Sequence, residues 1–134
     1  MSDLGVRTHL GIDRGLCGEV TARSVGQATV VLETTAVMGA DAQGLVHGGF
    51  VFGAADHAAM VAVNDPFVVL GAAETRFLAP VAVGQTVTLQ AEVSQTKKRK
   101  RTVDVVGRVG DKDVFTGQFT TFVLDRHVLD ASAS

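Results

Sequence analysis

The chain contains no tryptophan and no tyrosine, and has one cysteine and two prolines among 134 residues. The single thiol, Cys17, has no internal disulfide partner and no second cysteine with which to build a metal site, so neither a metal nor another cofactor is expected. A net charge of -2 gives no global attraction to nucleic acid or to an anionic membrane. Without tryptophan or tyrosine there is also no stacking platform for bases of the usual kind. The apolar runs stop well short of the roughly 20 residues that a spanning helix needs. The first seven residues are mixed in character, so no cleaved secretion signal is expected and the expected location is the cytoplasm. What remains, 46% hydrophobic and 19% charged residues, is the composition of a folded protein. Its length suits one domain over 1–134, with a frayed end at 130–134.

The order of patterns along the chain predicts an α+β fold. Residues 17–25 and 28–37 read as two strands turning at Gly26-Gln27, because β-branched residues dominate and glycine marks the reversal. Residues 49–64 are rich in alanine, nearly free of charge, and followed by Asp65-Pro66, which predicts one helix ending there. A helix that is apolar all round is a buried helix. Four further strands follow at 68–78, 85–93, 102–109 and 114–124; the second alternates cleanly, with Val87, Leu89, Ala91 and Val93 against Thr86, Thr88, Gln90 and Glu92. Gly110-Asp111-Lys112-Asp113 makes a hairpin turn, and a change of phase between Phe119 and Phe122 suggests a bulge in the last strand or a strand buried on both sides. The expected architecture is a mainly antiparallel sheet curled round one central hydrophobic helix.

Asp56 and His57 are the only ionisable side chains in that helix. A carboxylate among apolar neighbours loses solvation, which raises its pKa and makes it a better base than a surface aspartate. The competing reading is a side chain that escapes through a gap or bonds a neighbouring strand. His47-Gly48-Gly49 opens the helix, where backbone N–H groups lack intrahelical acceptors and glycine allows a ligand to come close, so a polarised carbonyl can bind there. His47 is a candidate to orient that loop. Adjacent helical residues do not share a face, so His57 is assigned to packing or to a subunit interface rather than to chemistry. His9 and His127 have no reactive constellation around them.

The segment His47-Gly48-Gly49-Phe50-Val51-Phe52-Gly53-Ala54-Ala55-Asp56-His57-Ala58-Ala59, then Asn64, then Phe77-Leu78-Ala79-Pro80-Val81 and Gly84, resembles the hotdog-fold thioesterases of the phenylacetate-pathway type. The resemblance runs in order from about Val46 to Val93. It implies hydrolysis of an acyl-CoA by a homodimer, often paired again into a dimer of dimers, whose sheets join edge to edge. It also implies a site at the subunit interface, where Gly48 N–H of one subunit polarises the thioester carbonyl and Asp56 of the other activates water or attacks directly. Gly49 and Phe77 would line the substrate. A protein of this fold that binds acyl-CoA without cleaving it is the alternative. Two positions depart from the pattern: Asp41 stands where some relatives have asparagine, and Leu70, Gly71 and Ala72 stand where some have a serine. Glu74 on that strand is expected to face solvent.

Lys97-Lys98-Arg99-Lys100-Arg101 gathers five of the twelve basic residues into one turn. It reads as a solvated hairpin tip, as a clamp in which Lys98, Arg99 and Arg101 hold the phosphates of coenzyme A, or, last, as a nucleic-acid patch.

Overall fold

The computed structural model describes residues 4–131. Its elements, in chain order, are α1 (Arg14–Cys17), β1 (Glu19–Ser24), β2 (Gln27–Glu33), a 3-10 turn (Ala36–Met38), α2 (Gly48–Val63), β3 (Val68–Phe77), β4 (Thr86–Lys97), β5 (Lys100–Val109), β6 (Lys112–Val123) and α3 (Val128–Ala131). The strands form one antiparallel sheet in the order β1-β2-β4-β5-β6-β3. Helix α2 packs on one face of it, which is the hotdog arrangement expected from the sequence.

Alanine explains how close that packing is. Ala54, Ala55, Ala58 and Ala59 are completely buried, and such short side chains let α2 approach the Val30, Leu32, Val87, Leu89, Val103 and Val105 side chains of β2, β4 and β5. The alternation expected on β4 holds, with Val87, Leu89 and Ala91 buried and Gln90 and Glu92 exposed. Helix α2 ends where Asn64 adopts a left-handed conformation and donates its N–H to Met60 O at 2.8 Å.

Several boundaries differ from the sequence reading. The β-branched run at 17–25 does not begin as strand: Cys17 closes the helical turn α1, capped by Asp13, whose Oδ1 accepts from Leu16 N at 3.1 Å. Strand β2 ends at Glu33, and Ala36–Met38 is a 3-10 turn that buries Met38 completely. The suspected bulge in β6 between Phe119 and Phe122 is absent. Phe115, Phe119 and Thr121 keep one inward face and Phe122 points outward, while the irregularity lies on the neighbouring β3 between Leu70 and Ala72. Gly71 sits in that bulge because a Cβ there would stand 2.5 Å from the Phe122 ring. At the chain's end, Asp130 and Ala131 belong to α3, and the rest of the expected frayed segment lies outside the described residues.

Strand β3 occupies an edge of the sheet, and from Gly71 to Phe77 all its residues are exposed except the half-buried Thr75. A ten-residue edge with apolar positions and an unpaired backbone is a template for pairing with another chain.

Candidate functional site

Helix α2 carries both candidate groups. Its partly open positions include Gly49, Gly53, Asp56 and Val63, a spacing that runs down one side of the helix. Asp56 Oδ1 is nevertheless buried, and it has no hydrogen-bond partner; no other buried side-chain nitrogen or oxygen among the described residues is left so. Burial pushes the Asp56 carboxyl up to about 6. The alternative of a carboxylate bonded to a neighbouring strand is thereby excluded for this oxygen.

Gly48 begins α2, so its N–H lies in the first turn, where no intrahelical acceptor exists. The Phe77 ring covers it closely: a Cβ on Gly48 would stand 3.1 Å from Phe77 Cε1. Phe77 in turn meets Phe115 edge-on at 5.3 Å between centroids. Around them lies a hollow of about 340 Å³ walled by Leu45, Val51, Phe77, Leu78 and Pro80, with no charged side chain in its lining. A larger hollow, about 840 Å³, lies on the solvent face of the sheet among Glu74, Arg76, Asp104 and Gln118, and includes neither Gly48 nor Asp56. Glu74 is exposed there, as expected.

His47 acts through its backbone. Its N–H donates to Met38 O at 2.9 Å, and its side chain makes no capping bond. The ring instead lies over Gly49, where a Cβ would come within 3.0 Å of it, and meets Phe50 edge-on. Asp41, in the place of the relatives' asparagine, is used up in its own turn: Oδ1 accepts from Gln43 N at 3.0 Å and from Leu45 N at 3.2 Å.

Eight residues separate Gly48 from Asp56, about 12 Å along a helix axis at 1.5 Å per residue. One thioester carbonyl cannot touch both groups of the same chain, since a reacting atom must sit about 3 Å from each.

The basic run forms the two-residue tip between β4 and β5, with Lys98 in the left-handed region. Two of its members also bond within the chain. Arg99 Nη2 pairs with Asp125 Oδ1 at 2.6 Å, and Arg101 Nη1 donates to the carbonyls of Lys98 and Lys100. Both arginines brace the tip, and Lys97, Lys98 and Arg99 are its exposed cations.

The sequence reading gave His57 no specific partner, yet its side chain is fixed by burial and a bond. It is buried, and Nδ1 donates to Cys17 O at 3.1 Å. A histidine inside an otherwise apolar helix was the available signal; its partner, forty residues away, was not.

The thioesterase superfamily model matches residues 43–116, which include Gly48, Asp56 and Phe77. The chain belongs to that superfamily. A crystal structure described as that of an uncharacterised protein, PH1136 of Pyrococcus horikoshii, is 45% identical with a TM-score of 0.94, covering 97% of this chain and 100% of that one. A variant of the phenylacetic acid degradation protein PaaI from Thermus thermophilus is 28% identical with a TM-score of 0.75, covering 81% of this chain and 95% of that one. Among curated proteins, 123 residues are 47% identical to a methylthioribose-1-phosphate isomerase of Aquifex aeolicus, over 91% of this chain and 27% of that protein. The transcription factor FapR of a Thermoanaerobacter species is 29% identical over 92% of this chain and 62% of its own length. The chain thus spans less than two thirds of either curated relative. Among the described residues no helix is long and apolar enough to cross a membrane.

Proposed function

We propose that the chain hydrolyses the thioester of an acyl-CoA at a site shared by two copies of itself. The observation that carries this reading is the buried, unpartnered Asp56 oxygen, on a carboxyl that titrates near 6 inside an apolar helix. A base poised close to neutrality takes a proton from water effectively and returns it effectively. Pairing of the open β3 edges about a two-fold axis joins the two sheets and supplies a second chain, a reading that the roughly 12 Å of helix between Gly48 and Asp56 supports.

In the general-base route Asp56 accepts a proton as water oxygen bonds to the acyl carbon, and Gly48 N–H of the other subunit stabilises the carbonyl oxygen as it gains charge. The C–S bond then breaks, the sulfur takes the proton from Asp56, and the carboxylic acid and CoA thiol leave. In the covalent route the carboxylate itself attacks the acyl carbon, and the C–S bond breaks to release the CoA thiolate. Water then opens the mixed anhydride to the carboxylic acid and a protonated Asp56, which passes its proton to the thiolate. The acyl group occupies the apolar hollow beside Phe77, and His47 supports Gly48 and Gly49 from behind.

The test is release of free thiol across acyl-CoAs from acetyl to palmitoyl, with aryl examples. Release from at least one of them at micromolar concentration supports hydrolysis. The second reading, a domain that binds acyl-CoA without cleaving it, draws on the similarity to part of a transcription factor. Saturable binding with no thiol released from any member of the panel would favour it and sink the hydrolase.

Lys97, Lys98 and Lys100 are proposed to meet the CoA phosphates. Replacing all three with glutamine should raise KM about tenfold at low salt with kcat little changed, because exposed charges act through screened attraction. An unchanged KM in steady-state kinetics returns the tip to the role of a solvated turn.

A further inference from the structure

The N-terminal segment is clasped onto α2 at two points. At the far end of the helix, Asn64 Oδ1 accepts from Arg7 N at 2.8 Å and Asn64 Nδ2 donates to Gly5 O at 3.0 Å. Next to Asp56, His57 Nδ1 donates to Cys17 O at 3.1 Å, the last residue of α1. Between these points Thr8 is buried and the His9 ring stacks on His57, 6.3 Å between centroids and 24° between planes. Thr8 Oγ1 holds the His9 ring in place through Nδ1 at 2.9 Å.

We propose that His57 is a positioning residue, which through the Cys17 carbonyl holds the turn α1 beside the Asp56 carboxyl and shields that carboxyl from bulk water. The proposal rests on the reading of Asp56 as the reactive group and adds to it the device that limits its exposure to bulk solvent.

The surroundings agree. The Cys17 thiol is raised first by burial, then by the charge of Asp13 and by that of Asp56, and α1 packs against α2. His57 is held neutral chiefly by burial, with Arg14 of α1 acting in the same direction and Glu19 of β1 and the Cys17 bond opposing. His9 is likewise lowered, by burial and then by His57. Both rings stay uncharged around neutrality, so the stack brings no cation near Asp56 that would pull its carboxyl down. A neutral His57 with its proton on Nδ1 is also the tautomer that the Cys17 carbonyl selects.

The decisive experiment follows the Asp56 carboxyl carbon by NMR through a pH titration, alongside hydrogen exchange of residues 14–17, in wild type, His57→Ala and His57→Asn. Asparagine places an amide N–H where histidine has Nδ1 and keeps the bond. In His57→Ala the Asp56 midpoint should move down by about one pH unit, and the 14–17 amides should exchange at least tenfold faster. His57→Asn should return both toward wild type. Where hydrolysis is measurable, kcat of His57→Ala should fall about tenfold with KM nearly unchanged, as expected for a weaker base. An unmoved midpoint in His57→Ala, or His57→Asn as disturbed as His57→Ala, overturns the proposal, the second result meaning that the ring only fills space. Should His57→Ala not fold, Asp13→Ala loosens the same turn from its exposed cap and must lower the midpoint too. Neither NMR nor exchange requires turnover, so loss of the hydrolase reading would show separately, as absence of thiol release by the wild type.

Discussion

Asp56→Asn loses between about a hundredfold and ten-thousandfold of kcat for thioester hydrolysis, the range that a positioned base contributes, while acyl-CoA still binds. Asparagine has nearly the volume of aspartate and makes neither base nor nucleophile, so the substitution removes the chemistry and leaves the shape. Oδ1 has no hydrogen-bond partner, so no network within the chain collapses when it becomes an amide. Thiol release and equilibrium binding by calorimetry, measured on the same preparation, separate the two effects. A variant that turns over a good substrate at the wild-type rate removes Asp56 from the mechanism. The pH profile of the wild type adds a second check: kcat should rise with pH through about 6 as the carboxyl ionises, then level.

The same substitution should stabilise the fold at neutral pH relative to acid pH, by an amount read from the shift. The Asp56 carboxyl titrates at 3.8 when unperturbed and at about 6 in the fold, with burial as the cause. The native state therefore binds this proton more tightly than the unfolded chain does. The protonated form's contribution is fully present below pH 3.8 and is lost as pH rises through about 6. A displacement of about two pH units corresponds to at most about 3 kcal/mol. In Asp56→Asn that loss cannot occur. Urea denaturation at pH 4 and at pH 8 should show the variant gaining up to about 3 kcal/mol on the wild type between the two, whatever the amide costs at both. Parallel stability curves for the two proteins would mean that Asp56 is not desolvated in the folded chain.

Much of this fold was legible because its signals are local. Helix α2 was read within a residue at each end, since an alanine-rich run closed by Asn64-Asp65-Pro66 admits little else. Strand β4 declared its faces through a period of two. The failures came where neighbours decide. Cys17 sits among residues that favour strand, yet a cap from Asp13 and a bond from His57 make it the end of a helical turn. Phe119 and Phe122 looked out of phase because one lies in the core and the other on the outer face, while the extra residue was carried by Gly71 on the next strand. Of the candidate site, Phe77 was named through the resemblance, while Gly48 and Asp56 were readable from residue type and order, since few residues can place a free N–H or an acid in an apolar helix. His57 was not, because its meaning lies in a carbonyl forty positions away. At the hairpin tip composition gives the charge, and only geometry reveals the bonds of Arg99 to Asp125 and of Arg101 to the Lys98 carbonyl.

The roughly 12 Å of helix between Gly48 and Asp56 also has a genetic meaning. If each site draws one group from each subunit, damage is counted per interface rather than per chain. A subunit lacking Asp56 and a subunit lacking a usable Gly48 are each inactive among their own kind. Brought together in one dimer, they leave one site doubly broken and the other whole, so two null alleles of this gene would rescue one another.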